Sequence, residues 1–158
     1  MTLARHLLLY TDKRVLLIDR REVPGDRQKV GESSVQLAGY YYGKVLDLEE
    51  HLLREHFMKY NLRFYWKSGR DDSCFENYSQ AYIRNLSNIP TYQIDRNKLE
   101  AEILRLNRLD SRFEFKSSVT ELDVALDENG PHTVRFWHGG AAMSVRSNWV
   151  VDATGGRT

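Results

Sequence analysis

Apolar residues recur at helical spacing through Thr2-Leu3-Ala4-Arg5-His6-Leu7-Leu8-Leu9-Tyr10, and the period then changes. Lys13-Arg14-Val15-Leu16-Leu17-Ile18-Asp19 is a short β-branched and leucine run that closes on a carboxylate, which predicts a strand. A turn at Val23-Pro24-Gly25-Asp26 follows, and helical spacing returns over residues 36–46. Asp47-Leu48-Glu49-Glu50 has capping-box spacing and starts a helix running through Glu55, after which residues 57–66 turn from helix into strand. Residues 67–88 are polar and irregular and read as an insertion. Residues 133–138 and 144–149, separated by Gly139-Gly140, read as a β-hairpin. The chain then carries Asn148-Trp149-Val150-Val151-Asp152-Ala153-Thr154-Gly155-Gly156-Arg157, an apolar run that breaks abruptly into a glycine turn. That run predicts a final buried parallel strand, whose carboxyl end is where open α/β sheets take their ligands.

Composition narrows the classes. The 158 residues suffice for one core, at 41% hydrophobic and 28% charged. Lys plus Arg is 23 against 22 for Asp plus Glu, so no global basic field recruits nucleic acid or anionic lipid. The lone Cys74 has no internal disulfide partner and sits among Arg70, Asp71, Asp72 and Glu76, an acidic setting that disfavours thiolate. Residues 7–9 are too short for a signal core or membrane span, which predicts a cytoplasmic protein without stable membrane insertion. His51 and His56 are five apart rather than four, so a metal pair on one helical face is not expected. Tyr40, Tyr41 and Tyr42 read as packing residues, with stacking on an aromatic substrate as the alternative.

Two local patterns carry candidate chemistry. In a dinucleotide-binding βαβ unit the acid that holds the ribose hydroxyls ends the second strand, about twenty residues beyond a glycine-rich turn. Counting back from Asp19 places that turn just before Met1, so Met1 would lie inside the first helix. Lys29-Val30-Gly31-Glu32-Ser33-Ser34 precedes a helix and presents backbone N–H groups suited to anionic or electron-rich atoms, although the serines read equally as an ordinary N-cap.

Taken in order, Lys29-Val30-Gly31-Glu32-Ser33-Ser34, Tyr92-Gln93-Ile94-Asp95-Arg96-Asn97-Lys98-Leu99-Glu100 and Val150-Val151-Asp152-Ala153-Thr154-Gly155 resemble a known family. They are similar to FAD-dependent oxidoreductases that include flavin-dependent halogenases, geranylgeranyl reductase-like enzymes and aromatic hydroxylases. The resemblance implies an α/β fold: a partial glutathione-reductase-type (Rossmann-like) FAD-binding domain over residues 1–158, with an inserted segment of the substrate region at 60–93. It implies that Asp19, with Arg20 beside it, binds the adenosine ribose. Gly31, Glu32, Ser33 and Ser34 would line the flavin as a strap, and Arg96 would lie near the FAD phosphates. Val119 would mark the strand whose backbone meets the adenine, and Asp152, Gly155 and Gly156 would pass close to the cofactor. The family's phosphate loop is expected before Met1 and its later Gly-Asp segment after Thr158, so the chain reads as a fragment.

In halogenases of this family a lysine shortly before a strand receives hypohalous acid made at the flavin hydroperoxide and directs the halogen. Lys59 stands in a similar place, with a solvated lysine at a helix end as the alternative. The Trp-x-Trp-x-x-Ile-Pro signature of halogenases does not occur in these residues. The resemblance thus implies a halogenase-like or monooxygenase enzyme with an aromatic or polyketide-type organic substrate, FAD as cofactor and a separate flavin reductase as partner. The alternatives are a flavin-dependent isoprenoid reductase and an inactive dinucleotide-binding fragment.

Overall fold

The structure, a computed structural model, describes residues 1–22, 29–60, 62–67, 69, 74–85 and 88–155. Helix α1 (Thr2–Tyr10) buries Ala4 and Leu8, one turn apart on a single stripe. It leads into strand β1 (Val15–Ile18). Helix α2 (Gln36–Tyr40) continues directly into a π-helical turn, Tyr41–Val45, and helix α3 (Glu49–Glu55) follows. Strand β2 (Phe57–Lys59), the hairpin strands β3 (Arg63–Trp66) and β4 (Ser79–Tyr82), and strand β5 (Thr91–Gln93) come next. Helix α4 (Arg96–Arg108) is the longest, and strands β6 (Phe113–Lys116), β7 (Thr120–Ala125), β8 (His132–His138) and β9 (Ala141–Ser147) complete the order.

Among the described residues the α/β character rests on one parallel pair. β1 runs beside β6 with Val15 opposite Phe113 and Ile18 opposite Lys116, and α4 supplies the crossover into β6. The remaining pairs are antiparallel: β2 with β5, β3 with β4, and the meander β7-β8-β9. Two apolar clusters hold this frame. Leu46, Leu48, Leu52, Tyr92, Ile94, Leu99 and Ile103 form the first, with Met1, Tyr41, Tyr42 and Leu106 packed onto it. Val119, Val134 and Phe136 form the second, against Leu16 and Ile18 of β1. Leu99, Ile103, Leu104 and Asn107 are the buried face of α4, the i, i+4, i+5, i+8 stripe of a helix that packs on one side.

Two polar devices fix the turns. Asp95 caps α4 by accepting from the backbone N–H groups of Asn97 (2.9 Å) and Lys98 (3.2 Å). Arg112 closes the other end of the layer: its guanidinium donates to the carbonyls of Leu8 (2.6 Å) and Thr11 (2.5 Å), orphan acceptors at the end of α1, while pairing with both oxygens of Asp110. Arg112 holds the Asp110 carboxyl below the usual carboxylate range, chiefly through this side-chain bond.

Several expectations change. The capping box does not form, because Asp47 lies at φ 56°, Leu48 takes the cap position and no side chain caps α3. The serines before α2 do not cap it either; Val35 occupies that position. Tyr41 and Tyr42 pack on the core as expected, whereas Tyr40 is exposed. The polar 67–88 stretch is less irregular than its composition suggests, since β4 zips onto β3. The hairpin turns at Gly139-Gly140, but its second strand ends at Ser147. The largest correction concerns the final strand. Residues 148–155 form no strand, and Trp149 (81%), Val150 (37%) and Val151 (62%) face solvent. A strand exists only as a paired ladder, and among the described residues none pairs with this run.

Candidate active site

The 29–34 strap is built onto β5 as an irregular extra strand. Ser34 N–H donates to the Tyr92 carbonyl (2.9 Å), Ile94 N–H donates to the Glu32 carbonyl (2.7 Å), and Ser33 bridges Gln93 in antiparallel fashion. The buried Ser34 hydroxyl accepts the Tyr92 N–H at 2.7 Å, so this serine is a cross-strand partner rather than an N-cap. Gly39 lets α2 lie against the end of this layer, since a Cβ there would come 2.4 Å from the Pro90 carbonyl oxygen.

Lys59 meets the strap. It ends β2 opposite Thr91, whose hydroxyl donates to the Lys59 carbonyl (3.0 Å), and its Nζ donates to the Ser33 hydroxyl (2.5 Å) and the Ser34 carbonyl (2.6 Å). Lys59, Ser34 and Thr91 form the polar edge of a cleft of about 400 Å³, and Val35, Leu62, Phe64, Tyr82 and Ile83 supply its apolar wall. The expected solvated lysine at a helix end is therefore not what folds: β2 lifts the residue off α3 and the strap captures its amine.

Beside the strap stands a cationic cluster. Gly31 adopts φ 90°, a conformation that favours glycine, and its Cα faces the Arg96 guanidinium. Arg96 donates to the Val30 carbonyl (3.0 Å) and to Glu100 (2.7 Å), and Lys29 also pairs with Glu100. Two cations share one carboxylate here. The α1 N-terminus lies close by: burial pushes the Met1 amine down, while the charges of Glu100 and then Asp19 push it up. The charges of Glu100 and Asp19 thus both reach the start of α1.

Asp19 itself sits at the carboxyl end of β1, where the parallel pair ends. Its N–H donates to the Lys116 carbonyl (2.9 Å) and its carbonyl accepts from Val119 N–H (3.2 Å), which places the buried Val119, just ahead of β7, next to it. The Asp19 carboxylate accepts from the Arg21 backbone (2.9 Å) and lies 3.4 Å from Arg21 Nε; neighbouring Arg20 is exposed. Asp152 and Gly155 lie in the irregular segment that follows β9. Asp152 accepts from the Thr154 N–H (2.9 Å) and hydroxyl (2.7 Å), which hold its carboxyl below the ordinary range, and Gly155 has φ 79°. Gly156 lies outside the described residues.

Sequence reasoning did not single out Thr91 or the cleft wall. Nothing in the local pattern marks them, because the cleft is assembled from β2, β3, β4 and the strap. His51 and His56 do come together, with ring centroids 5.0 Å apart, because His56 has already left the helix. Nδ1 of His56 accepts the Asp95 N–H (3.1 Å), and burial pushes both imidazoles below their ordinary value. Among the described residues no group of three His, Cys, Asp or Glu is placed to hold a metal ion, and no helix is long and apolar enough to cross a membrane.

No family model matches the chain. It is 30% identical over 115 residues to the flavin-dependent halogenase ChlA of Dictyostelium discoideum, a match covering 67% of this chain and 19% of that protein. The myxobacterial chondrochloren halogenase CndH superposes with a TM-score of 0.73 at 20% identity, over 99% of this chain and 35% of CndH. Halogenase PltM, in complex with phloroglucinol and FAD, superposes at 0.68 and 17% identity, over 97% of this chain and 32% of PltM. The chain spans a fifth of the length of the curated relative it matches. Over that span it is a homologue of a flavin-dependent halogenase, and it has the corresponding part of the FAD-dependent halogenase fold.

Proposed function

We propose that the chain is the cofactor-proximal part of an FAD-dependent halogenase that acts on an aromatic or polyketide-type substrate. The observation that supports this most is Lys59: an amine presented by β2, gripped by the strap, at the mouth of an apolar and aromatic cleft. A primary amine in such a place is a nucleophile for an electrophilic halogen and a hydrogen-bond donor to the hypohalous acid. The relatives' own flavin dependence supports FAD as the cofactor.

The residues present fit that group. Asp19 ends a strand beside the α1 N-terminus, and a carboxylate retains lone pairs for ribose hydroxyls after accepting from Arg21. Arg96 and Lys29, sharing Glu100, supply the net positive charge a pyrophosphate needs, and Arg96 has further N–H donors beyond its two contacts. Gly31 and Glu32 give the strap its close approach, Val119 backs Asp19, and Asp152, Gly155 and Gly156 are proposed to pass close to the cofactor. Reduced FAD would supply the oxygen chemistry, with a separate flavin reductase as electron source. Residues 60–93, which follow β2 and end with its partner β5, are the substrate-side insertion in this reading.

The test is product mass and oxygen uptake in the intact enzyme with reduced flavin, chloride or bromide, and a panel of phenols. Halogenated product that disappears in Lys59→Ala while oxygen uptake persists supports the proposal. Hydroxylated product insensitive to halide and to Lys59→Ala would replace it with a monooxygenase reading.

A further inference from the structure

We propose that Ser33 is a positioning residue for the Lys59 amine: its hydroxyl ties the strap to Nζ and holds that amine in either protonation state. The inference rests on the halogenase reading for its purpose but not for its geometry. Lys59 Nζ has two partners on the strap, the Ser33 hydroxyl at 2.5 Å and the Ser34 carbonyl at 2.6 Å. They differ in chemistry. A carbonyl only accepts, so it serves an ammonium and offers nothing to the lone pair of a neutral amine. A hydroxyl accepts from the ammonium and can turn to donate to the lone pair. The Ser34 carbonyl can accept an N–H from either form of the amine, but of the two partners only the Ser33 hydroxyl can also satisfy the lone pair of the neutral form.

The frame around this contact is stiff enough to matter. The strap backbone is pinned at Ser34 by two bonds to Tyr92, one of them to a buried hydroxyl, and Ser33 is bridged to Gln93. The Lys59 backbone is pinned on the other side of the same strand, through Thr91. β5 thus fixes both partners, and the exposed Ser33 hydroxyl is the adjustable link between them. A shift of the strap is expected to move the amine with it. The sequence assigned Ser33 to the flavin side; the structure gives its hydroxyl this second task.

The experiment is competitive acetylation of the chain with acetic anhydride, read lysine by lysine from peptide mass spectra, with Lys98 as internal reference. A bound amine must break its partners before its lone pair reaches the reagent. Relative to Lys98, Lys59 should label roughly three- to tenfold faster in Ser33→Ala, the range expected from losing one hydrogen bond. Ser33→Thr, which keeps the hydroxyl, should label at the wild-type ratio. An unchanged ratio in Ser33→Ala overturns the proposal, and so does Ser33→Thr labelling as fast as Ser33→Ala. General loosening of the fold would speed all lysines together and leave the ratio unchanged, which also counts against it. No flavin, halide or substrate enters the assay. An intact enzyme that never halogenates would therefore remove the halogenase reading while leaving this result standing.

Discussion

The strap at 29–34 and the run at 148–155 are both short, glycine-bearing and without regular repeating structure, yet the fold treats them oppositely. The strap is bonded to Tyr92 and Gln93 of β5 and to Ile94 just past it, to Lys59 from β2 and to Arg96 from α4. The C-terminal run is held by local bonds, Asp152 to Thr154 and Ser147 to Trp149, and turns its valines to water. What separates them is a rigid neighbour. β5 lies on the first apolar cluster, where Tyr92 is 2% exposed, and so offers the strap a fixed edge. A site can be assembled on such an edge, because each hydrogen bond formed there costs little further ordering.

The most direct way to break the contrast is to loosen that edge. Ile103 lies 1% exposed on α4 within the cluster that seats Tyr92. Ile103→Ala should destabilise the chain by about 2–5 kcal/mol through lost burial and the cavity left behind. Urea unfolding measures it, and a value under about 1 kcal/mol would mean the cluster is not the strap's foundation.

A narrower cut leaves the cluster alone. Ser34→Ala removes the acceptor of the Tyr92 N–H and should cost about 1–3 kcal/mol, the penalty of a buried donor left unpaired. Hydrogen exchange at the Tyr92 amide is the sharper readout. It should speed up in the variant, and unchanged protection would show that another acceptor serves it.

Titration tests the same edge from the α3 side. His56 accepts the Asp95 N–H at the foot of α4, so it must stay neutral to hold that bond. Burial, then the neighbouring His51, lowers its folded pKa, and Lys98 adds to this, while Asp95 and Glu55 oppose it. For His51, burial is again the largest cause, with Glu102 and Glu55 opposing and Lys98 and Arg105 reinforcing. The unfolded chain therefore binds protons first as pH falls, near the ordinary imidazole value of about 6.5. Stability is full above that value and declines below it. The expected result is a melting temperature that falls between about pH 7 and pH 5, with a shallower slope in His56→Asn. Equal slopes would remove His56 as the source.

How far the residues foretold this follows from what periodicity reports. It finds faces: the α1 stripe, β1 closing on Asp19, and the two-residue turn of the β8–β9 hairpin all fold as read. It does not find partners. Lys59 and Ser33 are 26 positions apart, and their meeting depends on β2 and the strap both pairing with β5, information that resides in no local window. Arg112 reaching back to Leu8 and Thr11 is invisible for the same reason. The motifs at 29–34 and 92–100 stand out in the sequence only through a family resemblance, and their pairing across β5 comes from the fold. The run at 148–155 is the converse case: apolar character alone does not bury a segment that no described strand flanks.

The smallest expected effect comes from that run. Val151 is 62% exposed and no described strand pairs with its segment, so truncating its side chain leaves no cavity and strands no polar group. Val151→Ala should therefore change the unfolding free energy by less than about 0.5 kcal/mol, as surface substitutions usually do. A loss of about 1.5 kcal/mol or more would be the cost of a buried valine, and it would mean that the run packs into a sheet in solution. The same measurement on chain extended by its natural flanking sequence separates the two regions further. If the run gains a strand partner there, Val151→Ala becomes costly in the extended protein alone, whereas Ser34→Ala costs the same in both, because β5 is already in place.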